Sequence, residues 1–371
     1  MAREKEEEEV VVAQVAEPFV SDQATKPSIK DFIWSEDEWP KLKHNNFDSS
    51  EDVPIISLIE VLINGNIIAG QAYDEACRAM VEASEKWGFF KLIDHGVPPE
   101  IIREVERQCS ELFSLPMEKK LRGGRSKELP FGYINSASDP SYTHNLPWAE
   151  SIQLIQSPQL VTSFAQRVYD EDQHHAFSDA LMEYMEAVEE LGRVILGMLA
   201  HGLGLSDECF TKCLSEKENM MIRVNQYPPC PLPDKCLGLG SHSDPHTLTI
   251  LLQDEVGGLQ VQKEDGEWIG IKPVPNSFIV NIGDTLDAWT NGSLKSVVHR
   301  AVVNKEKKRL SIAYFLSPAN KTVVECPGEL LDQRGEQRKY KSFTWGEFKR
   351  ELLIQKRVVK KTALERYLIS N

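Results

Sequence analysis

The pattern of apolar and polar positions divides the chain into regions of different texture. Val53-Pro54-Ile55-Ile56-Ser57-Leu58 reads as a short strand, Asp74 to Lys86 carries apolar residues at helical spacing, and Gly88-Phe89-Phe90-Lys91-Leu92-Ile93 has the aromatic, branched character of a strand. A strand, helix, strand opening is predicted. Further helices are predicted from about Pro99 to Phe113 and from about Ala176 to Leu203, the second with Leu181, Met185, Val188, Ile195 and Leu199 along one stripe. Residues in such a stripe belong to a core. Between these helices, Arg122 to Pro158 is rich in Gly, Ser, Asn and Pro and predicts a long functional loop. Phe131, Tyr133 and Trp148 are its candidate pocket walls, with simple packing an equal alternative for each.

From Met220 onward the pattern changes to short β-rich segments separated by turn residues: His246 to Leu252, Gly258 to Val261, Ser277 to Ile282, Ser296 to Val303 and Leu310 to Leu316. Strands at this spacing suggest a two-sheet barrel such as a jelly roll. Trp345 to Leu368 returns to helical character, with Phe348, Leu352 and Leu353 on a face otherwise rich in Lys and Arg. The expected organisation is a disordered acidic tail over 1–30, a helical and strand region over 31–215, a catalytic core over 216–320 and a helical segment over 321–371. The fold class is mixed α/β and mainly β.

Composition narrows the chemistry. Hydrophobic residues make up 41% and charged residues 27%, so there is apolar material for a sizeable core. A net charge of −15 argues against a broad basic surface for nucleic acid or anionic lipid and favours a small-molecule partner. The seven cysteines, Cys77, Cys109, Cys209, Cys213, Cys230, Cys236 and Cys326, are odd in number and scattered, which is unlike a disulfide framework. Met1 to Glu9 is mostly charged, unlike a secretory signal. The best apolar run, Val194 to Leu205, has about half the length a bilayer span requires. A cytoplasmic protein with no membrane partner and no obligate protein partner is expected.

Candidate chemistry begins at His242-Ser243-Asp244. Residues two apart on an extended segment project from one face and can grip one metal ion. His299, in Val297-Val298-His299-Arg300-Ala301-Val302, supplies a third ligand if alternation turns it inward. Two imidazoles and one carboxylate leave coordination positions open, the arrangement of non-haem iron oxygenases. Taken singly, each histidine is more readily a satisfied core or surface polar residue, a reading that loses ground for the set taken together. Arg309-Leu310-Ser311 places a guanidinium and a hydroxyl on one face, able to clamp a carboxylate. Asn225 and Tyr227, again two apart, can offer an amide and a phenol to one ligand, although a buried structural Tyr accounts for the same pattern. His299 and Arg309 share an inward face of a hairpin only across an odd-numbered turn, for which Lys305-Glu306-Lys307 is the candidate. Arg309 would then oppose Val303, about 13 Å along the strand from His299.

Asn225-Gln226-Tyr227-Pro228-Pro229-Cys230, His242-Ser243-Asp244, His299 and Arg309-Leu310-Ser311, in this order and spacing, resemble the plant 2-oxoglutarate and iron(II) dependent dioxygenases. The likeness runs from about Val53 to Pro318 and includes Trp87-Gly88-Phe89-Phe90 and Asp94-His95-Gly96-Val97. It implies a double-stranded β-helix, or jelly roll, in which His242, Asp244 and His299 bind iron. It further implies that Arg309, as the catalytic carboxylate clamp, with Ser311, Asn225 and Tyr227 binds 2-oxoglutarate. Oxygen is then the second co-substrate, with ascorbate a candidate reductant. Phe32-Ile33-Trp34 and Leu146-Pro147-Trp148-Ala149-Glu150-Ser151 resemble marker segments of gibberellin 20-oxidases, which implies a gibberellin, a diterpenoid acid of plant hormone metabolism, as substrate. Ala149, Ser151, Gln226 and His246 depart from that group's pattern. Inactivating 2β-hydroxylation of a gibberellin, or oxidation of another plant small molecule, stays open beside 20-oxidation. A binding module without turnover and a metal hydrolase are the readings from other functional classes. The hydrolase has no use for an arginine clamp.

Overall fold

The computed structural model describes residues 28–47, 52–63, 66–126, 129–136, 145–170, 173–214, 219–354 and 362–369. The acidic tail expected over 1–30 therefore lies, up to residue 27, outside the described residues. Chain order begins with 3-10 turns at Ile29–Phe32 and Glu36–Glu38, then β1 (Ile55–Ser57), the hairpin β2 (Leu62–Ile63) and β3 (Asn66–Ile67), α1 (Gln71–Lys86), β4 (Phe89–Ile93), α2 (Pro99–Ser114) and α3 (Met117–Arg122). Pro99 opens α2 at the first helical position, where a missing N–H removes no helical bond. The segment expected to be one long loop contains β5 (Gly132–Asn135) and β6 (Glu150–Ile155), which obtain their hydrogen bonds from each other and from a strand some 70 residues downstream. Residues 137–144 of that segment lie outside the described set. Next come α4 (Pro158–Val168) and the 30-residue α5 (Gln173–Gly202).

The core strands are β7 (Met221–Tyr227), β8 (Leu237–His242), β9 (Leu248–Gln253), β10 (Leu259–Gln262), β11 (Trp268–Gly270) and β12 (Phe278–Ile282). The short α6 (Asp284–Trp289) precedes β13 (His299–Val302) and β14 (Arg309–Leu316), and the chain ends with β15 (Val323–Val324), α7 (Gly328–Arg334), β16 (Phe343–Thr344), α8 (Trp345–Ile354) and α9 (Thr362–Glu365). The single helix expected from Trp345 to Leu368 is thus two helices, with residues 355–361 outside the described set.

Two sheets face each other. The larger has the order β1-β4-β12-β9-β14-β7-β6-β5 and the smaller β11-β10-β13-β8. From β7 to β14 the chain passes back and forth between them, four strands to each, which is the jelly-roll winding. The predicted stripe of α5 is buried: Met185, Val188, Ile195 and Leu199 have no exposed surface and Leu181 has 1%. Gly192 of α5 lies against the Leu316 side chain at the end of β14, so this helix supports the larger sheet from behind.

The expected hairpin also fails. β13 and β14 do not form a hairpin: β13 pairs with β8 and β10, whereas β14 pairs with β7 and β9. Residues 303–308 cross from the smaller sheet to the larger, so Arg309 opposes Tyr227 and not Val303. His299 and Arg309 still meet one cavity, because inner faces of opposed sheets converge without shared register. Among the described residues no helix is long and apolar enough to cross a membrane. All seven cysteines are free thiols.

Candidate metal centre and its cavity

His242 ends β8 and His299 begins β13, and the two are paired directly across that ladder. Asp244 follows in the turn leaving β8. One ligand atom from each of the three residues lies within 4.8 Å of the others. Asp244 Oδ1 is 3.6 Å from His242 Nε2 and 3.7 Å from His299 Nε2. The remaining polar atoms of the triad are already engaged. His242 Nδ1 is 2.8 Å from the Gly240 carbonyl and His299 Nδ1 is 3.1 Å from that of Val297, which sets each Nδ1–H as donor and leaves Nε2 as a lone-pair donor to a metal. Asp244 Oδ2 accepts from Thr249 Oγ1 (2.6 Å) and Asn281 Nδ2 (2.8 Å), so Oδ1 alone faces the histidines.

The electrostatics fit the same use. Burial, reinforced by the neighbouring His299, pushes the His242 imidazole down to about 4. Burial by itself raises the Asp244 carboxyl, but the two imidazoles and the Thr249 and Asn281 hydrogen bonds outweigh it and hold the group at about 2. A neutral imidazole beside an ionised carboxylate is the protonation state that ligates a divalent ion. Phe89 covers the His299 ring edge-on, with centroids 5.4 Å apart.

The triad opens onto a cavity of about 570 Å³. At one end, Arg309 and Ser311 of β14 stand opposite Tyr227 and Asn225 of β7. Arg309 is 3% exposed, its Nη2 donates to Gln253 Oε1 at 2.8 Å, and its Nε–H has no partner among the described residues. Its guanidinium carbon is 5.0 Å from the Tyr227 ring centroid. Tyr227 fits because Gly238 faces it: a Cβ there would be 2.4 Å from the Tyr227 ring. A buried guanidinium with an unsatisfied N–H, flanked by a phenol and a hydroxyl, suits a carboxylate that supplies the missing acceptor. The predicted Asn225 is present in the lining, but its Oδ1 already accepts from Ser151 Oγ (2.8 Å) and Arg223 Nε (3.0 Å).

Towards the other end of β7, Arg223 lines the cavity, and its only side-chain hydrogen bond among the described residues is that to Asn225. Residues 34–38 close the edge beside β8. Trp34 and Glu38 line the cavity, Ser241 Oγ donates to Glu38 Oε2 (2.9 Å), and Arg300 Nη1 donates to the Glu38 carbonyl (3.2 Å). The three aromatic residues proposed as pocket walls do not line it. Trp148 is 1% exposed, packs edge-on against Phe32 at 4.9 Å and donates to the Pro228 carbonyl (3.1 Å). Tyr133 donates to Glu150 Oε2 (2.5 Å), and Phe131 lies outside the cavity lining.

Sequence reasoning missed Thr249, Asn281, Gln253 and Arg223. Only Arg223 had a signal, since strand alternation places it on the face of Asn225 and Tyr227. Asn281 and Gln253 reach the site through sheet order, which local patterning does not encode, and Thr249 reaches it through the turn between β8 and β9, five residues after Asp244.

Residues 218–318 match the family model of the 2OG-Fe(II) oxygenase superfamily, and residues 53–177 match that of the non-haem dioxygenase in morphine synthesis N-terminal region. The chain is 37% identical over 321 residues to gibberellin 20 oxidase 1 of Arabidopsis thaliana, covering 85% of this chain and 82% of that one. It is 37% identical over 294 residues to naringenin,2-oxoglutarate 3-dioxygenase of Petunia hybrida, covering 79% and 76%. Among solved structures it is similar to JOX2 in complex with 2OG, Fe and JA, with a TM-score of 0.76, 29% identity and 97% of both chains covered. It also resembles the dioxygenase for auxin oxidation in rice, with a TM-score of 0.70, 29% identity, and 86% of this chain and 100% of that one covered.

Proposed function

The chain belongs to the 2OG-Fe(II) oxygenase superfamily, enzymes that use iron(II), 2-oxoglutarate and oxygen, and we propose that it oxidises a gibberellin precursor in the manner of a 20-oxidase. In this reading His242, Asp244 and His299 hold the iron, while Arg309, Ser311 and Tyr227 hold the far carboxylate of 2-oxoglutarate. When bound, these cofactors supply oxidative decarboxylation of the 2-oxo acid to succinate and carbon dioxide, coupled to oxidation of a substrate C–H bond. The chain's own residues decide which bond. Thr249 and Asn281 keep Asp244 aimed at the metal position, and Gln253 keeps the Arg309 guanidinium beneath Tyr227. Asn225 holds Arg223 in place through its Oδ1 and leaves its amide N–H for the co-substrate.

The observation that carries an acidic substrate is Arg223. Four guanidiniums line the cavity, those of Arg125, Arg223, Arg300 and Arg309, and Arg223 lies four residues, therefore about 13 Å, along β7 from the Tyr227 end that receives 2-oxoglutarate. A dicarboxylate anchored at Arg309 and chelated at the triad leaves that cation unused. A diterpenoid acid supplies a carboxylate for it, and a rigid skeleton held at one end presents a fixed C–H bond to the metal side. A neutral flavanone has no counterpart to Arg223, which sets the gibberellin reading above the flavonoid one. Seven free thiols accord with a cytoplasmic setting.

The test is anaerobic reconstitution with iron(II) and 2-oxoglutarate, then oxygen and a panel of gibberellin precursors, other plant carboxylic acids and a flavanone. Succinate coupled to an oxidised gibberellin is the expected result, and the position of oxidation separates 20-oxidation from 2β-hydroxylation. Coupling to the flavanone alone would overturn the acidic-substrate reading.

A further inference from the structure

His246 is the residue of the metal turn that the chemistry above does not use. It lies in the lining of the cavity, two positions after Asp244. Its backbone is pinned from both sides. The His246 carbonyl accepts from Thr285 N (3.2 Å) and occupies the space left by Gly283, where a Cβ would sit 2.0 Å away. Thr285 Oγ1 donates to the preceding carbonyl, of Pro245, at 2.7 Å, and Thr247 N donates to the Leu316 carbonyl at 2.8 Å. The side chain has as little freedom. Its Nδ1 is 2.7 Å from Ser317 Oγ, and its ring lies against Phe315 and Trp345, with centroids 4.5 Å and 5.7 Å apart. Nε2 is left as the one polar atom of the ring with no partner among the described residues.

The position of this ring identifies what it serves. Phe315 is six residues along β14 from Arg309, about 20 Å of strand, so His246 is remote from the carboxylate clamp. It belongs instead to the Arg223 end, because Phe315 pairs with Met221 and Ala313 pairs with Arg223. A rigid imidazole edge and a guanidinium thus face the part of the cavity that 2-oxoglutarate does not reach. Packing alone requires no imidazole in the cavity lining. A hydrogen-bonding edge held by two aromatic rings and a hydroxyl is an arrangement that orients a ligand.

We propose that His246 is a specificity-determining positioning residue, whose Nε2 hydrogen-bonds an oxygen substituent of the substrate at a point away from the carboxylate held by Arg223. Two polar contacts on a rigid skeleton define its rotation over the metal centre, and with it the carbon that is oxidised. The inference rests on the acidic-substrate reading and adds the second contact to it.

The test compares wild type with His246→Leu, His246→Gln and Ser317→Ala, using whichever compound of the panel raises succinate formation above the substrate-free rate. His246→Leu is expected to lower kcat/KM for that compound by roughly 10- to 100-fold, the loss of one hydrogen bond to a buried partner, and to change the ratio of oxidation products. His246→Gln, which keeps a polar edge, should recover most of the loss, and Ser317→Ala should shift the product ratio in the same direction with a smaller fall. The 2-oxoglutarate Kd should move by less than about twofold in all three, since the clamp is remote. A His246→Leu enzyme with wild-type KM, product ratio and coupling would overturn the inference and leave the proposed function standing. Should coupling occur only with a non-gibberellin acid, the hormone reading falls and the His246 comparison proceeds on that acid. If no compound couples, both are overturned.

Discussion

Replacing Arg309 by leucine should separate co-substrate binding from metal binding. The guanidinium is 3% exposed, engages Gln253 through Nη2 and has an Nε–H with no partner among the described residues, so a bound carboxylate would complete its hydrogen bonding. Two charge-assisted hydrogen bonds at about 1.5–3 kcal/mol each place the loss at about 3–6 kcal/mol, or roughly 10² to 10⁴ in the Kd of 2-oxoglutarate. Arg309→Lys keeps the charge and loses the planar fork, for an expected loss of roughly 10- to 100-fold. Neither change should alter uptake of iron(II) or manganese(II), because all three triad residues lie on other segments. The ligand-free Arg309→Leu protein should unfold no sooner than wild type, since the change removes a buried cation with an unsatisfied N–H. It should also lose the rise in Tm that saturating 2-oxoglutarate gives wild type, a linkage worth about 2.7 kcal/mol at a hundred times Kd. Anaerobic calorimetry with 2-oxoglutarate and a parallel metal titration measure both. Unchanged 2-oxoglutarate affinity would refute the clamp, and simultaneous loss of metal uptake would show that Arg309 acts through the fold instead.

Two further outcomes concern stability. Burial pushes both His242 and His246 down to about 4 from 6.5. The unfolded chain therefore binds more protons than the native one between these values, so stability of the metal-free protein is complete above pH 6.5 and lost as pH falls toward 4. Each group contributes at most ~1.36 kcal/mol per pH unit, less for the partial exposure of both rings, and because burial also lowers His44 and His95, His246→Leu should remove only part of the slope in urea unfolding at pH 7, 6 and 5. A flat dependence across that range would contradict the burial argument. Lys120 and Glu150 form an ion pair with side chains 5% and 3% exposed, and Tyr133 adds its hydroxyl to the same carboxylate. Lys120→Met leaves Glu150 charged and unpaired and should cost about 3–5 kcal/mol by denaturant unfolding, with much of the loss restored in Lys120→Met/Glu150→Leu. A single variant as stable as wild type would mean that the pair is not buried in solution.

The sequence alone determined those features that depend on periodicity or on spacing within one strand. The stripe of α5, the alternation of β7, and the two-residue steps His242 to Asp244 and Arg309 to Ser311 are local, and side-chain direction follows directly from backbone period. The jelly-roll class follows from the spacing of short strands, and the triad and clamp were candidates on residue type and order. What the sequence did not determine is which strand lies beside which. Alternation states the face a residue occupies but not its neighbour, so β13 and β14 read as a hairpin although residues 303–308 carry the chain to the opposite sheet. β5 and β6 were hidden for a related reason: they are short and lie in a stretch rich in Gly, Ser, Asn and Pro, and they exist as strands through hydrogen bonds to each other and to distant β7. Trp148 shows the limit for side chains, since a buried aromatic against core and one against a cavity have identical local sequence. Only the tertiary structure decided that Asn281 aims Asp244, that Gln253 holds Arg309, and that Arg223 and His246 share one end of the cavity, because each of those relations joins segments that sheet order alone brings together.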